Sequence, residues 1–345
     1  LKNVQVFGKD SENLILSSNY VILATGASSK NLPFISADSD LIWDYKSAMT
    51  PSKLPKSLIV IGSGAIGIEF ASFYSDLGCK VTIIEVQDTI LPNEDREISD
   101  FVMKNFTSRK IDILTQAELI DVSKHKNVNC KIIFKGEETI INAERMLLAV
   151  GIEANVKDLG LENFDIKLKN GVILTDDWME TSEKNIYAIG DLTSGPWLAH
   201  KASHEGIICV EAINGIKRNK LHKSEIPSCT YSRPQIASLG LTEKKALEIG
   251  HEVKIGRFPF VGNGKAIALG EADGMIKTIF DKKTGELLGA HMVGPEVTEL
   301  IQGFVIAKKL ETTEEELIST IFPHPTLSEA MHESVLDAFE KVIHY

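Results

Sequence analysis

The chain has 345 residues, enough for two or three domains, and its 43% hydrophobic and 25% charged side chains exclude a disordered chain, a collagen-like repeat and a coiled coil. The 37 basic and 48 acidic residues leave a net charge of −11, which argues against a general nucleic-acid binder because neutralising phosphates requires a surplus of Lys and Arg. No apolar run approaches the roughly 18 residues that a membrane-spanning helix needs.

In the first half of the chain, apolar runs and glycines predict a strand–helix–strand unit. A short strand is expected at 20–24 and, after a proline-containing linker, a second one at 58–61. Apolar residues at three- and four-residue spacing predict a helix over 66–77, which Gly78 would end. A third strand is expected at 81–84, so the segment from the second to the third strand has the order of a single compact unit.

In the second half, the pattern changes from alternating strands and helices to a tail that contains a hairpin. The polar turn at 281–285 joins two of the predicted strands. This order predicts a parallel α/β part and a separate α+β domain. The predicted segments are strands at 145–150, 275–280 and 287–293, a strand leading into a glycine turn within 185–191, a helix around His204 and Glu205, a helix at 297–310 and a helix starting near Thr326.

The strongest local signal is Gly62-x-Gly64-x-x-Gly67, which follows a predicted strand and opens a predicted helix. Gly62 permits the tight turn off the strand, Gly64 lets the backbone approach a pyrophosphate, and Gly67 allows helix and strand to pack closely. The helix N-terminus offers free N–H groups to the phosphates. Glu85 ends the next strand, where it would accept hydrogen bonds from a ribose diol and repel a 2′-phosphate. The pattern predicts a dinucleotide site that prefers NAD to NADP.

Three further segments have roles that the residues alone leave open. Two strands end at Ala-Thr-Gly (24–26) and Ala-Ile-Gly-Asp (188–191); taken singly, each favours a strand-terminating turn, with the aspartate as a helix N-cap. In the tail, the Pro-flanked His324 precedes Glu329, whose carboxylate would orient the ring as a general base. Thr326-x-x-Glu329 is also a capping box, which by itself explains the acid. Both interpretations hold if the cap presents the acid to the ring.

Together these segments resemble the pyridine nucleotide–disulfide oxidoreductases. Ala-Thr-Gly at 24–26, the glycine pattern at 62–67, Ala-Ile-Gly-Asp at 188–191 and His-Pro-Thr-Leu-Ser-Glu at 324–329 occur in the order of that family. The resemblance covers essentially the whole chain. It implies an α/β fold with two Rossmann-like dinucleotide-binding domains, the FAD one incomplete, and a C-terminal α+β dimerisation domain. It also implies a homodimeric flavoenzyme that oxidises protein-bound dihydrolipoamide to lipoamide with FAD and NAD.

The resemblance also assigns residues to the site. His324 is similar to the base that deprotonates the dithiol and is delivered from the partner subunit, and Glu329 is similar to the residue that orients it. Glu69 matches an acid that pairs with a lysine near the flavin, and Glu85 matches the NAD ribose acid. The other residues implied for the NAD site are Gly62, Ser63, Gly64, Ala65, Ile66, Gly67, Ile68, Ala117 and Gly151. Those implied for FAD are Thr25, Gly26, Ala27, Asp191, Trp197, Leu198, Ala199 and His200.

The cysteines depart from the family pattern. Cys79, Cys130, Cys209 and Cys229 lie far apart, so the chain has neither the expected Cys-x4-Cys redox pair nor a Cys-x-x-Cys that would indicate zinc, and no metal site is expected. So few cysteines fit a reducing compartment. A glycine fingerprint for the FAD adenylate is also missing, so we expect Leu1 to lie roughly 110 to 130 residues into a longer parent protein.

The order of the motifs predicts three regions: 1–30 with 152–223 as a partial FAD-binding domain, 31–151 as the NAD-binding domain, and 224–345 as the dimerisation domain. The resemblance implies a second copy of the chain as partner, and lipoyl domains of 2-oxoacid dehydrogenase complexes or the glycine-cleavage system. It implies neither nucleic acid nor membrane, and a bacterial cytoplasm or a mitochondrial matrix. Two alternatives stay open: a reductase of the glutathione or mercuric type, and a truncated, non-catalytic NAD-binding dimer.

Overall fold

The computed structural model of the chain describes residues 2–8, 14–217 and 220–344, so the predicted domain bounds at Leu1 and Tyr345 lie outside the described residues. Its strands are β1 (Lys2–Val6), β2 (Leu14–Ser18), β3 (Val21–Leu23), β4 (Ala27–Ser29), β5 (Ile42–Trp43), β6 (Ser57–Ile61), β7 (Lys80–Ile84), β8 (Asp112–Leu114), β9 (Ala117–Lys124), β10 (Val128–Phe134), β11 (Glu137–Ala143), β12 (Arg145–Leu148), β13 (Ile152–Ala154), β14 (Leu168–Lys169), β15 (Val172–Ile173), β16 (Ile186–Ala188), β17 (Ser228–Thr230), β18 (Gln235–Gly240), β19 (Val253–Pro259), β20 (Met275–Asp281) and β21 (Leu287–Gly294). Its α-helices are α1 (Tyr45–Met49), α2 (Ala65–Asp76), α3 (Arg96–Ser108), α4 (Ala199–Ile213), α5 (Glu243–Glu248), α6 (Gly264–Leu269), α7 (Val297–Lys309), α8 (Glu314–Ser319) and α9 (Glu329–Ala338).

These elements form two compact units. Unit 1 contains the described residues of Leu1–Ser28 and Ile152–Lys223, and unit 2 contains those of Ser29–Gly151 and Ser224–Tyr345. None of the helices within the described ranges has the length and apolarity that crossing a bilayer requires.

The first half of unit 2 is built on a five-stranded parallel sheet in the order β5-β12-β6-β7-β8. Alternate residues of β6 face opposite sides: Leu58 and Val60 pack with the helices α2 and α3, whereas Ile59 and Ile61 pack on the other face. The predicted strand–helix–strand unit is confirmed as β6–α2–β7, and Gly78, with a φ of +86°, follows the helix end as expected.

The second face of this sheet is covered by an antiparallel meander, β9-β10-β11, that the apolar patterns did not predict. Along β9 and β10 buried residues alternate with more exposed ones, and the buried side chains of Leu119, Cys130 and Ile132 join the cluster around Ile59 and Ile61. β11 is mostly exposed, and polar residues interrupt all three strands, so no long apolar run marks them in the sequence.

The C-terminal half of unit 2 is an antiparallel sheet in the order β17-β18-β21-β20-β19, with α7 and α9 packed on it through Phe304 and Val335. The predicted hairpin is β20–β21. The helix expected near Thr326 begins at Glu329, with Ser328 as its N-cap, and the Thr326 hydroxyl donates to the Pro323 carbonyl at 2.7 Å in the preceding turn.

Unit 1 contains short sheets and the helix α4. The two predicted apolar strands, found as β3 and β16, pair in parallel, with Val21 opposite Ile186 and Leu23 opposite Ala188. Because parallel neighbours end at the same edge, the glycine turns that follow them lie side by side. The chain thus has the mixed α/β architecture that the sequence predicts, with a Rossmann-type sheet followed by a C-terminal α+β region.

Candidate functional site

In the turn between β6 and α2, a different geometric feature explains each of the three fingerprint glycines. Gly62 has a φ of +95°, and a Cβ on it would lie 2.4 Å from the Ala149 carbonyl oxygen. A Cβ on Gly67 would lie 2.1 Å from the Gly62 carbonyl oxygen, so helix and turn touch there. A Cβ on Gly64 would meet nothing within 4 Å. Packing therefore requires the first and third glycines, while the second leaves an open approach to the helix N-terminus that fits a dinucleotide phosphate.

Glu85 is anchored against this turn at the end of β7. Its side chain is buried, and its Oε2 accepts hydrogen bonds from the backbone N–H of Ser63 at 2.9 Å and from the Ser63 hydroxyl at 2.6 Å. Its Oε1 accepts from the Gln87 backbone N–H at 2.8 Å. Each oxygen retains acceptor capacity, because a carboxylate has about four lone-pair sites. The carboxylate can thus accept from a ribose diol without losing its anchor.

The remaining candidate residues for the NAD site differ in burial and in their hydrogen bonds. Ala117 is buried, and its N–H donates to the Glu85 carbonyl at 2.9 Å. Gly151 has a φ of +108° with open space around its Cα, and its carbonyl accepts from the Lys30 N–H at 3.0 Å. Ala65 is exposed at the helix start and Ile66 is half-buried, whereas Ser63 and Ile68 are fully buried.

Glu69, one turn into α2, is placed against the C-terminal half of unit 2. Its Oε1 accepts a hydrogen bond from the Tyr231 backbone N–H at 2.8 Å. Burial raises the pKa of the Glu69 carboxyl, and the Tyr231 hydrogen bond only partly opposes that rise. Among the described residues Glu69 makes no ion pair, so the lysine contact implied by the resemblance has no counterpart there.

In unit 1, the Thr25-Gly26-Ala27 turn is fixed by Asn155, a residue that the sequence reasoning missed. The Thr25 hydroxyl donates to the Asn155 carbonyl at 2.7 Å, and the Asn155 side-chain amide donates to the Thr25 carbonyl at 2.9 Å. The Asn155 N–H donates to the Gly26 carbonyl at 2.9 Å. A Cβ on Gly26 would meet nothing within 4 Å, so one side of the turn is open.

The second glycine turn of unit 1 is held by a buried ion pair on α4. Lys201 and Glu205 are 1% and 4% exposed in their side chains and lie 2.9 Å apart. The Lys201 ammonium donates to the Gly190 carbonyl at 2.9 Å and to the Thr193 hydroxyl at 2.7 Å, while Glu205 accepts from the Gly190 N–H at 2.6 Å. Lys201 was missed, although its four-residue spacing from Glu205 is a helical ion-pair signal.

The other residues implied for FAD lie in the second glycine turn and at the start of α4. Asp191 is half-buried in a 3-10 turn whose N-cap is Ile189, so the N-cap role that its position suggested is wrong. The Trp197 indole donates to the Thr193 carbonyl at 2.9 Å. Leu198 is the N-cap of α4, followed by the exposed Ala199 and His200 at its first turn. The structure therefore gathers Asp191 and 197–200 around one rigid turn, with polar and backbone groups that fit a nucleotide cofactor.

In the tail, Glu329 contacts His324, but the predicted capping box with Thr326 as N-cap is not formed, because Ser328 is the N-cap of α9. Its Oε1 lies 2.8 Å from Nδ1 of His324, and its Oε2 accepts from the Thr326 N–H at 2.8 Å. Burial opposes ionisation of Glu329, but the hydrogen bonds from Thr326 and His324 outweigh it and hold the pKa of the carboxyl below its usual range. The ionised acid orients the ring, which is 79% exposed.

The four cysteines do not fit a redox pair. None forms a disulfide; Cys79, Cys130 and Cys209 are buried, and Cys229 is half-buried. Burial raises the pKa of Cys79 to about 11, that of Cys130 to about 12 and that of Cys209 to about 11, and it also raises the pKa of Cys229. The nucleophilic form of a cysteine is the thiolate, which these environments disfavour.

The chain matches the family model of the pyridine nucleotide-disulphide oxidoreductases over residues 2–206 and the dimerisation domain of the same family over 226–335. It is 53% identical over 330 residues to a dihydrolipoyl dehydrogenase of Rhizobium etli, covering 95% of this chain and 69% of that protein. A dihydrolipoyl dehydrogenase of Zymomonas mobilis is 51% identical over 341 residues, which are 97% of this chain and 73% of that protein.

Solved structures agree with this assignment. LpdA from Mycobacterium tuberculosis has a TM-score of 0.90 at 26% identity, covering 96% of this chain and 72% of that one. The Cu(II) complex of the HOCl-induced flavoprotein disulfide reductase RclA from Escherichia coli has a TM-score of 0.89 at 26% identity, covering 96% and 75%. The chain belongs to the pyridine nucleotide–disulphide oxidoreductase family.

Proposed function

We propose that this chain acts as a dihydrolipoyl dehydrogenase, a flavoprotein that oxidises protein-bound dihydrolipoamide to lipoamide with NAD as the final acceptor. The dithiol gives up two electrons and two protons, NAD⁺ takes up a hydride, and one proton is released. The observation that carries the proposal is the His324–Glu329 pair, within a chain that is 53% identical to a relative of that name. FAD, when bound, supplies the two-electron carrier between the dithiol and NAD.

His324 is the proposed base for the dithiol. Because Glu329 is held ionised, its oxygen accepts and Nδ1 of His324 donates across the 2.8 Å contact. The neutral ring therefore has its lone pair on Nε2, which takes the proton as the thiol becomes a thiolate. The ring's large exposed fraction lets a lipoyl arm approach it.

For NAD, we propose that the open side of Gly64 and the first turn of α2 bind the pyrophosphate and that Glu85 binds the adenosine ribose. The chemistry of these groups supports the assignment: free backbone N–H groups suit phosphates, and an anchored carboxylate suits a diol. For FAD, we propose Thr25, Gly26, Ala27, Asp191 and the segment 197–200 of unit 1.

The partners and the location follow as part of the same proposal. The match of 226–335 to a dimerisation domain supports a homodimer, and Ile321, which is 94% exposed beside the His324 turn, offers an apolar contact for a second copy. The further partners would be lipoyl domains of 2-oxoacid dehydrogenase complexes or of the glycine-cleavage system. The location would be the cytoplasm of a bacterium, or the mitochondrial matrix.

The cysteines favour a second candidate function for the 345 residues taken alone. Thiol–disulfide exchange requires a thiolate, and the four thiols, three buried and one half-buried, do not provide a reactive pair. The second candidate is an NAD-binding dimer without turnover. Gel filtration with an NAD titration tests it, and a monomer that ignores NAD would contradict both candidates.

The first experiment for the leading candidate compares substrates in the holoenzyme. We expect turnover with dihydrolipoamide and NAD⁺ to exceed turnover with NADPH and either glutathione disulfide or mercuric ion. A preference for NADPH with either of those acceptors would contradict the proposal and favour the alternative reductases.

A further inference from the structure

An ionic cluster centred on the buried Lys277 joins the nucleotide-binding half of unit 2 to its C-terminal sheet. Lys277 lies on β20, and its side chain is only 2% exposed. Its ammonium nitrogen lies 2.9 Å from Asp95 Oδ1, 2.7 Å from Glu97 Oε1 and 2.7 Å from Glu243 Oε2. These contacts use all three donors of the ammonium group. Arg257 on β19 adds a two-pronged contact to Glu97, with N···O distances of 2.8 and 2.7 Å.

Lys277 and Asp95 keep their charges despite their burial. Burial on its own would lower the pKa of Lys277, but the three carboxylates reverse this and hold the pKa above its usual value. For Asp95, burial would raise the pKa, but the hydrogen bond from Lys277 keeps it below its usual range. A buried charge without a partner is far more costly than a paired one, so the position of Asp95 depends on Lys277.

Asp95 ends the segment that runs from the nucleotide turn to α3. It is the N-cap of α3, and Lys277 fixes it at that end. At the other end, the Gln87 N–H donates to Glu85, and the Leu91 N–H donates to the Ser63 carbonyl at 2.9 Å. The segment 86–95 is therefore fastened both to the fingerprint turn and to the C-terminal sheet.

Leu91 shows how tightly this segment is held. It has a φ of +48°, a left-handed conformation that costs a non-glycine residue energy, and it is buried. Its carbonyl accepts from the Glu94 N–H at 3.0 Å and from the Ser99 hydroxyl at 3.0 Å. Such a conformation persists only where the surroundings enforce it, so loss of the Asp95 anchor should loosen the contact to Ser63.

We propose that Lys277 is a positioning residue for NAD: by holding Asp95 it holds the segment 86–95, and with it Ser63 and Glu85, in the geometry that binds the adenosine ribose. This inference rests on the NAD site proposed above. It makes a residue of the C-terminal sheet, more than 180 residues from the fingerprint, a determinant of coenzyme affinity.

The test replaces Lys277 by Met and measures two quantities on the whole chain. The Kd for NAD, by isothermal titration calorimetry, is expected to rise between about 2-fold and 30-fold, the range found for coupling of this kind. Without NAD, hydrogen exchange of the 86–95 backbone amides is expected to become faster, while that of β6 and β7 stays unchanged.

The matched control is Lys282→Met. Lys282 follows β20, is 57% exposed and pairs with Glu252 on the surface. This change makes the same substitution and removes the same charge without touching the cluster or the segment 86–95, so both readouts should match those of the parent chain. If K277M does not fold, the double variant K277M/E243Q, which keeps the charge balance, replaces it.

A folded Lys277 variant with the parent Kd for NAD and unchanged exchange over 86–95 would overturn the inference, even if its melting temperature fell. If the parent chain itself does not bind NAD, the proposed NAD site fails. The exchange measurement still tests in that case whether Lys277 anchors the segment, because it needs no coenzyme: unchanged exchange over 86–95 rejects this anchoring, and faster exchange supports it.

Discussion

The backbone N–H and the hydroxyl of Ser63 both donate to one oxygen of Glu85, at 2.9 and 2.6 Å. Ser63 lies inside the glycine fingerprint and Glu85 at the end of the following strand, so these two hydrogen bonds join the two parts of the proposed NAD site. They also fix a negative charge beside the turn, where the 2′-phosphate of NADP would meet it.

This charge predicts the coenzyme preference. Replacing Glu85 by Gln should reduce the ratio of kcat/KM for NAD over NADP by about fivefold or more, because a like-charge contact at 4 Å costs about 1 kcal/mol in bulk water and about 4 kcal/mol near a protein surface. Steady-state rates of the holoenzyme with the two coenzymes give the ratio. Glu118→Gln, an exposed change on β9, is the control. An unchanged ratio in the Glu85 variant would remove it from the ribose site.

The two glycines Gly64 and Gly67 should respond differently to alanine. In Gly67→Ala the new Cβ would lie 2.1 Å from the Gly62 carbonyl oxygen. The unfolding free energy should therefore fall by about 1 to 3 kcal/mol, the usual cost of overpacking. In Gly64→Ala the Cβ meets no protein atom, so stability should change by less than about 1 kcal/mol while the Kd for NAD rises. Denaturant unfolding and an NAD titration separate the effects; normal NAD binding by the Gly64 variant would place the phosphates elsewhere.

The Lys201–Glu205 pair predicts that a second substitution recovers stability that a first one removes. Lys201→Met leaves Glu205 buried without its cation and should cost about 3 to 5 kcal/mol of unfolding free energy. The double variant K201M/E205L replaces the pair by apolar groups and should recover much of that loss. Thermal unfolding of the single and double variants measures this. Equal loss in both would mean that the hydrogen bonds to Gly190, rather than charge balance, dominate the stability of the turn.

The thiols predict a pH dependence. With the pKa of Cys79 raised to about 11 and that of Cys130 to about 12, both groups remain protonated at neutral pH. Reaction of the folded chain with an aromatic disulfide reagent should therefore be slow at pH 7 and rise toward high pH, because the thiolate is the reactive form. After unfolding in denaturant, all four should react quickly. Two thiols that react fast in the folded chain at pH 7 would indicate a redox pair.

The sequence predicted the elements whose signal is local. The β6–α2–β7 unit follows from an apolar run, three glycines and a helical period, all within 30 residues of one another. The meander β9–β11 was missed because β9 and β10 bury only alternate residues and β11 is mostly exposed. The start of α9 was misplaced because Ser328, and not Thr326, is the N-cap of the helix.

The site residues also fall into two groups, those with a local sequence signal and those that act through long-range contacts. Glu85, His324 and Glu329 stand in recognisable spacing, whereas Asn155 and Lys277 act on partners more than 120 residues away. No periodicity in the sequence marks such contacts, because they depend on how distant segments pack. Only the folded chain could reveal that Asn155 fastens the first glycine turn or that Lys277 anchors the segment 86–95.

The most direct test of the account is the effect of His324→Gln on two activities of the holoenzyme. Lipoamide-dependent turnover should fall by about 10²- to 10⁴-fold, the usual contribution of a general base, while NADH oxidation by an artificial acceptor stays within about twofold of the parent enzyme. This split is expected because only the first activity needs the proton transfer at Nε2. Unchanged lipoamide turnover would contradict the central claim that the His324–Glu329 pair is the base of a dihydrolipoyl dehydrogenase.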